Sequence, residues 1–161
     1  MVDLRSPASG VGTDLPARVF AEVVTHSAEE TTEFGRELAK HIQPPCLLLL
    51  EGELGSGKTT LVKGLVAGLG AAREEEVTSP SFTLVHEYGH ERKVYHVDLF
   101  RIEGARDFAS LGLDDLFEED ATVIIEWGER ISDNAPGRQW RVRLEYVTSE
   151  ERRITVESRR R

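Results

Sequence analysis

Nine consecutive residues have the types and spacing needed to bind the phosphates of a nucleotide. They are Gly52-Glu53-Leu54-Gly55-Ser56-Gly57-Lys58-Thr59-Thr60, and they fit the P-loop pattern G-x-x-x-x-G-K-[ST]. In such a loop, backbone N–H groups and the positive end of the following helix face the phosphate oxygens. Lys58 can reach the β- and γ-phosphates, and the hydroxyl of Thr59 is placed to ligate Mg²⁺. The segment therefore predicts a nucleotide-binding site.

The elements on either side of this segment are those that a P-loop requires. The apolar run from Cys46 to Leu50 predicts a buried strand, and the apolar residues from Leu61 to Leu69 recur at helical spacing. Strand, glycine-rich turn and helix together form the P-loop motif. This context argues against a chance match of the pattern.

Two acidic residues follow predicted core strands and are candidates for catalysis. Asp98 follows Val94 to Val97, and Glu126 follows Thr122 to Ile125. P-loop enzymes use such an acid to hold Mg²⁺ or to orient water. Either acid alone could be a strand-end residue that faces solvent, but their joint position beside a P-loop favours a catalytic role. His96 would share the face of Asp98, either as its proton partner or as a hydrogen-bonded structural residue.

The bulk composition predicts a single acidic domain. The chain has 161 residues and a net charge of -9. Such a chain offers little positive surface, so we expect it not to bind nucleic acid without a partner. The one cysteine, Cys46, excludes an internal disulfide and is expected to be a small core residue. No apolar stretch approaches the roughly 20 residues of a membrane span, so we expect a cytoplasmic protein.

Alternating strand and helix patterns predict the fold class. A capping box at Ser27 opens a helix with a buried stripe, and strands are predicted at Arg18 to Thr25, Leu84 to Tyr88, Val94 to Asp98, Ala121 to Glu126, Gln139 to Tyr146 and Arg152 to Glu157. The last two strands alternate polar and apolar residues, which is typical of antiparallel strands with one wet face. The sequence thus predicts an α/β, P-loop NTPase-like fold, with a mixed, mainly parallel sheet flanked by helices and added antiparallel strands. We expect a mobile N-terminal arm (1–17), a single P-loop ATPase domain (18–157) and a basic C-terminal tail (158–161).

A P-loop alone does not specify a reaction. The chain lacks an N/T-K-x-D element after its core strands, which argues against a guanine-specific GTPase. Its short length and the absence of an obvious arginine-rich lid disfavour, without excluding, a small-molecule or nucleoside kinase. A nucleotide-gated binding module, in which turnover is incidental, is the other alternative.

Four motifs, in order, resemble those of the TsaE (YjeE) family. They are the P-loop, Thr78 to Val85, Tyr95 to Arg101, and Glu126-Trp127. Members of this family are small bacterial P-loop ATPases needed for threonylcarbamoyladenosine (t6A) at position 37 of tRNAs that read ANN codons. The resemblance covers about Val19 to Val156. The departures are minor: Glu53 stands where Asp is usual, and Phe82 and Phe100 stand where Tyr is common.

The resemblance implies ATP hydrolysis with Mg²⁺ by a subunit that acts with TsaB and TsaD. It implies tRNA contact only through that complex, and no membrane association. Lys58, Asp98 and Glu126 match catalytic positions, while Thr59 and Glu126 match metal positions, the acid acting through water. Trp127 matches the aromatic residue beside the metal acid. The resemblance also implies a nucleotide-sensing switch loop, formed by Thr78, Ser79, Pro80, Ser81, Phe82 and Thr83.

Overall fold

A seven-stranded mixed sheet, in the order β1-β7-β6-β2-β5-β4-β3, forms the centre of the molecule. The computed structural model describes residues 17–80, 84–102, 112–131 and 137–159. Its strands are β1 (Arg18–Thr25), β2 (Cys46–Glu51), β3 (Val85–Tyr88), β4 (Val94–Asp98), β5 (Thr122–Glu126), β6 (Arg138–Tyr146) and β7 (Arg152–Arg159). Its helices are α1 (Ala28–Ala39), α2 (Lys58–Gly68) and α3 (Leu113–Glu118), with 3₁₀ turns at Glu74–Glu76 and Gly128–Arg130. The expected N-terminal arm lies outside the described residues, apart from Ala17.

The four central strands, β6, β2, β5 and β4, are parallel, whereas the edges are antiparallel. At the edges, β7 pairs with β6, β1 with β7, and β3 with β4. This arrangement confirms the predicted fold class. The last two strands are antiparallel to each other, as expected, but β6 is also parallel to β2, which its alternating pattern did not indicate.

The apolar run of β2 is explained by its central position. Leu48 and Leu50 face a core covered by α1 and α2, while Leu47 and Leu49 face a second core that includes Leu113 of α3. A parallel strand covered on both faces must be apolar throughout. Cys46 lies at the start of β2, and burial raises the pKa of its thiol to about 11, so it is an unreactive core residue as predicted.

The N-cap of α1 forms at Ser27 as the sequence predicts, but the second bond of the predicted capping box is shifted by one residue. The Ser27 hydroxyl accepts from the backbone N–H of Glu30 at 3.1 Å, and the Glu30 carboxylate accepts from the N–H of His26 at 2.7 Å. Phe34 and Leu38 are buried against α2 and the sheet. The cap and the apolar stripe together fix the position of α1 beside the P-loop helix.

The predicted start of the C-terminal tail is wrong. β7 continues to Arg159, because Ser158 pairs with Arg18 of β1 and Arg159 pairs with Gln139 of β6. Backbone pairing on both sides extends the strand past the last apolar residue, which a composition argument cannot detect. Residues 160–161 lie outside the described residues.

Gly64 permits the close contact between α1 and α2. A Cβ atom at this position would lie 1.9 Å from the backbone oxygen of Thr32. We expect Gly64→Ala to lower the free energy of unfolding by about 3 kcal/mol, because two helix backbones would have to separate. The control is Gly70→Ala, which meets no atom within 4 Å but has a φ of 74°; its cost should be about 1–2 kcal/mol. Chemical denaturation measures both, and an equal or smaller loss for Gly64→Ala would contradict the close-packing argument.

Candidate nucleotide-binding site

The P-loop joins the carboxyl end of β2 to the first turn of α2. Gly57 caps α2 with a φ of 101°, and no acidic side chain lies in the first turn of this helix. The unpaired N–H groups and positive dipole end of α2 therefore face the loop without a negative side chain to compensate them. Within the described part of the chain, no hydrogen-bond partner reaches the buried hydroxyl of Ser56. Both features suit the binding of an anion.

Lys58 is buried at the base of the loop and is held by backbone oxygens. Its Nζ donates to the carbonyls of Gly52 and Glu53, the latter at 2.9 Å, and it lies 4.0 Å from the centre of the Trp127 ring. Burial lowers the pKa of Lys58, while the charge of Glu126 counteracts this shift most strongly. Neutral carbonyls are weaker partners for an ammonium group than phosphate oxygens are. The lysine is thus placed to exchange them for an anion.

Glu126 is a buried carboxylate with donors from two other elements. The hydroxyl of Thr59 donates to Oε1 at 2.9 Å, and Nε2 of His96 lies 2.6 Å from Oε2. An ionised carboxylate only accepts, so Nε2 carries the proton. Among the described residues, Nδ1 of His96 has no partner. The alternative of His96 as the proton partner of Asp98 is not what the structure shows: the ring hydrogen-bonds Glu126 on the adjacent parallel strand.

Asp98 links the end of β4 to the predicted switch segment. Its Oδ2 accepts from the hydroxyl of Ser79 at 3.1 Å, and its Oδ1 accepts from the backbone N–H of Phe100 at 2.9 Å. Of the described members of the predicted loop, Thr78, Ser79 and Pro80, it is Ser79 that contacts the acid and lines the cavity. The other members of the predicted loop, Ser81, Phe82 and Thr83, lie outside the described residues.

The predicted catalytic and metal-binding side chains line a single cavity of about 360 Å³. Its walls include Lys58, Thr59, Asp98, Glu126 and Trp127. These residues come from α2, β4, β5 and the turn after β5, and parallel pairing aligns Asp98 with Glu126 at the same sheet edge. The structure thus brings together the residues that the sequence predicted to act together.

A second cavity of about 420 Å³ lies beside the P-loop. Gly55, Gly57 and Thr60 border both cavities, and Ser27 and Arg152 line the second one. The P-loop therefore separates a cavity with two candidate catalytic acids from one built by the start of α1 and the β6–β7 turn.

Trp127 forms a wall of the first cavity and is partly buried. Its backbone has a φ of 63°, and its ring lies 5.2 Å from the Phe100 ring, centre to centre. The next residue, Gly128, packs so closely on β2 that a Cβ would lie 2.6 Å from Leu49 Cβ. The guanidinium of Arg130 donates to the backbone oxygens of Phe100 and Ile102, which fixes this turn to the segment after β4. Trp127 therefore both borders the cavity and packs against the second core.

Thr59 and Glu126 have the donor chemistry of a Mg²⁺ site. Hydroxyl and carboxylate oxygens are the hard donors that this ion takes. The Thr59 hydroxyl and Glu126 Oε1 share a hydrogen bond of 2.9 Å, so the two oxygens are already neighbours. The residues present therefore fit the expected ion by donor type and by proximity.

Two residues that contact the P-loop were not identified from the sequence. Tyr146 donates to the backbone oxygen of Leu54 at 2.9 Å, and Arg152 approaches the oxygen of Gly55 at 3.4 Å. They lie 92 and 97 residues along the chain from their partners. No local motif marks them, because only the return of β6 and β7 to the same sheet edge brings them to the loop.

Comparisons with known proteins agree on one family. The model of the family "Threonylcarbamoyl adenosine biosynthesis protein TsaE" matches residues 25–154. A tRNA threonylcarbamoyladenosine biosynthesis protein TsaE from Treponema pallidum is 35% identical over 133 residues, which are 83% of this chain and 97% of the relative. Its counterpart from Bacillus subtilis is 36% identical over 132 residues, or 81% of each chain. The crystal structure of Bacillus subtilis YdiB superposes with a TM-score of 0.70 at 29% identity, covering 89% of this chain and 88% of that one.

The contact between His96 and Glu126 leads to a prediction about stability. Both side chains are buried, so loss of the imidazole leaves the carboxylate with Thr59 as its remaining side-chain donor among the described residues. We expect His96→Leu to reduce the free energy of unfolding by about 1–3 kcal/mol more than His96→Gln, which retains an N–H donor near Nε2. Urea denaturation of both variants at neutral pH measures the difference. Equal losses would mean that His96 contributes only by packing.

Proposed function

Because the chain belongs to the TsaE family, we propose that it is the ATP-binding and ATP-hydrolysing subunit of tRNA t6A biosynthesis, acting with TsaB and TsaD. The observation that carries the proposal is the cavity at the P-loop, where Lys58, Thr59, Asp98 and Glu126 converge. One cavity thus joins the P-loop to two acids of the kind that hold Mg²⁺ or orient water in nucleotide hydrolysis.

In the proposed reaction, each side chain has a separate task. Lys58 leaves the carbonyls of Gly52 and Glu53 and binds the β- and γ-phosphates. Thr59 and, through water, Glu126 would hold Mg²⁺, which would neutralise phosphate charge in the transition state. Asp98, fixed by the N–H of Phe100 and the hydroxyl of Ser79, orients the attacking water. We place the nucleoside in the second cavity, since the P-loop borders both.

The charge of the chain supports indirect contact with tRNA. A net charge of -9 disfavours binding to a phosphate backbone, because the 29 acidic residues outnumber the 20 basic ones that would replace counterions. Positive surface for tRNA would then come from the TsaB–TsaD partners. None of the described helices is long and apolar enough to span a membrane.

The contact between Ser79 and Asp98 favours nucleotide-gated docking as a second candidate. A segment tied to a catalytic acid can change its order when phosphate and metal bind beside that acid. Gating and hydrolysis are compatible. The segment would adopt its docking-competent order while ATP is bound and would lose that order after hydrolysis. A P-loop kinase is the remaining alternative and is distinguished by the fate of the γ-phosphate.

We predict different defects for loop and acid variants. Lys58→Ala and Thr59→Ala should weaken Mg-ATP binding about tenfold or more, because each loses a charge-assisted or metal contact. Asp98→Ala and Glu126→Ala should retain much of the affinity for ATP but lower kcat about 100-fold, since they act mainly in the transition state. Calorimetry and release of free phosphate measure the two effects.

Lys63→Ala is the matched control, as it removes a lysine from α2 outside the cavity. Normal binding and turnover in all four variants would refute the proposed site. Transfer of phosphate to an added acceptor, instead of release as free phosphate, would indicate a kinase.

We also predict that nucleotide state controls docking. Purified TsaB–TsaD should require this chain for t6A synthesis beyond one turnover, and it should bind the chain more tightly with a non-hydrolysable ATP analogue than with ADP. Ser79→Ala should reduce this difference, because it removes the contact with Asp98. Affinity is measured with analogue, ADP and no nucleotide. Equal affinity in all three states would exclude gating, since a ligand indifferent to two states cannot shift their balance.

A further inference from the structure

A contact on the outer side of the P-loop is not explained by catalysis. The Tyr146 hydroxyl, at the end of β6, donates to the backbone oxygen of Leu54 at 2.9 Å. The Leu54 side chain is 72% exposed, so packing of that side chain does not hold the loop at this point. The hydroxyl is also close to Gly55, where a Cβ would lie 2.7 Å from it. The Tyr146 hydroxyl therefore lies in direct contact with the backbone of the P-loop.

The planarity of the peptide bond relates this contact to phosphate binding. The oxygen of Leu54 and the N–H of Gly55 belong to one trans peptide unit, so they point in opposite directions. When Tyr146 holds the oxygen on the outer side, the N–H is directed to the other side of the loop. Gly55 has a φ of 78°, and glycine allows the peptide to rotate at little steric cost. A fixed hydrogen bond is thus needed to keep one orientation.

Arg152 supports the tyrosine ring from β7. Its guanidinium carbon lies 4.1 Å from the ring centre of Tyr146, a cation–π contact. The same guanidinium donates to the backbone oxygens of Thr148 and Ser149 at 3.1 Å each, and approaches that of Gly55 at 3.4 Å. The turn between β6 and β7 is therefore tied to two consecutive carbonyls of the P-loop.

We propose that Tyr146 is a positioning residue for phosphate recognition: it orients the Leu54–Gly55 peptide so that the Gly55 N–H faces the phosphates. Arg152 keeps the Tyr146 ring in place. The inference rests on the proposed nucleotide binding at this loop. It assigns the end of β6 and the β6–β7 turn to the nucleotide site, although neither carries a P-loop motif.

Tyr146→Phe tests the inference, because it keeps the ring stacked on Arg152 and removes only the hydroxyl. Calorimetry with pyrophosphate, Mg-ADP and adenosine separates the phosphate contribution from that of the nucleoside. We expect affinity for pyrophosphate and Mg-ADP to fall about three- to tenfold, as for one lost hydrogen bond. Adenosine affinity and the melting temperature without ligand should stay close to those of the wild type. Val147→Ala, which truncates the adjacent exposed side chain, is the control and should change none of these values.

The outcomes distinguish this inference from the proposed function. A wild-type chain that binds neither pyrophosphate nor Mg-ADP would refute nucleotide binding and this inference with it. If the wild type binds both ligands and Tyr146→Phe binds them with the same affinity, the positioning role alone would be overturned. Equal weakening for adenosine and pyrophosphate would also overturn it, because the effect would not depend on the phosphates.

Discussion

The buried carboxylate of Glu126 constrains the arrangement of the elements around it. A carboxylate removed from water is costly unless donors compensate it. Here the compensation comes from Thr59 on α2 and His96 on β4, so one side chain connects three elements. Because the carboxylate is 3% exposed, these donors cannot be replaced by bulk water. The P-loop helix and the two acid-bearing strands are thereby held in a fixed relation.

Parallel pairing explains why the candidate site lies at one edge of the sheet. β2, β4 and β5 run in the same direction, and Glu126 is in register with both Leu50 and Asp98. The carboxyl ends of parallel strands meet at one edge, where ligands of open α/β sheets bind. The P-loop begins directly after β2 at this edge. The direction of the strands thus determines where the site lies, independently of the individual side chains.

The sequence predicts features that depend on neighbouring residues and misses contacts between residues far apart along the chain. The P-loop, the helix N-cap at Ser27 and the acids at the ends of β4 and β5 are local patterns, and each lies where it was predicted. The partner of His96 and the contact of Tyr146 with Leu54 depend on which strands become neighbours. Strand alternation does not encode that choice, as the parallel pairing of β6 with β2 demonstrates.

The charges around Lys58 bear on the form in which a nucleotide would enter. Glu126, Glu129 and Asp98 all act electrostatically on its ammonium group. In the part of the chain that the structure describes, the charged side chains that line the cavity are Lys58, Arg101, Asp98 and Glu126, two of each sign, and Glu129 adds a further acid nearby. A free triphosphate would meet repulsion from the acids as well as attraction to Lys58 and to the start of α2. Under the proposed function, the metal complex of ATP is the better ligand, because the ion would offset part of the charge of these acids. The acidity that argues against binding a phosphate backbone is then compatible with binding a nucleotide.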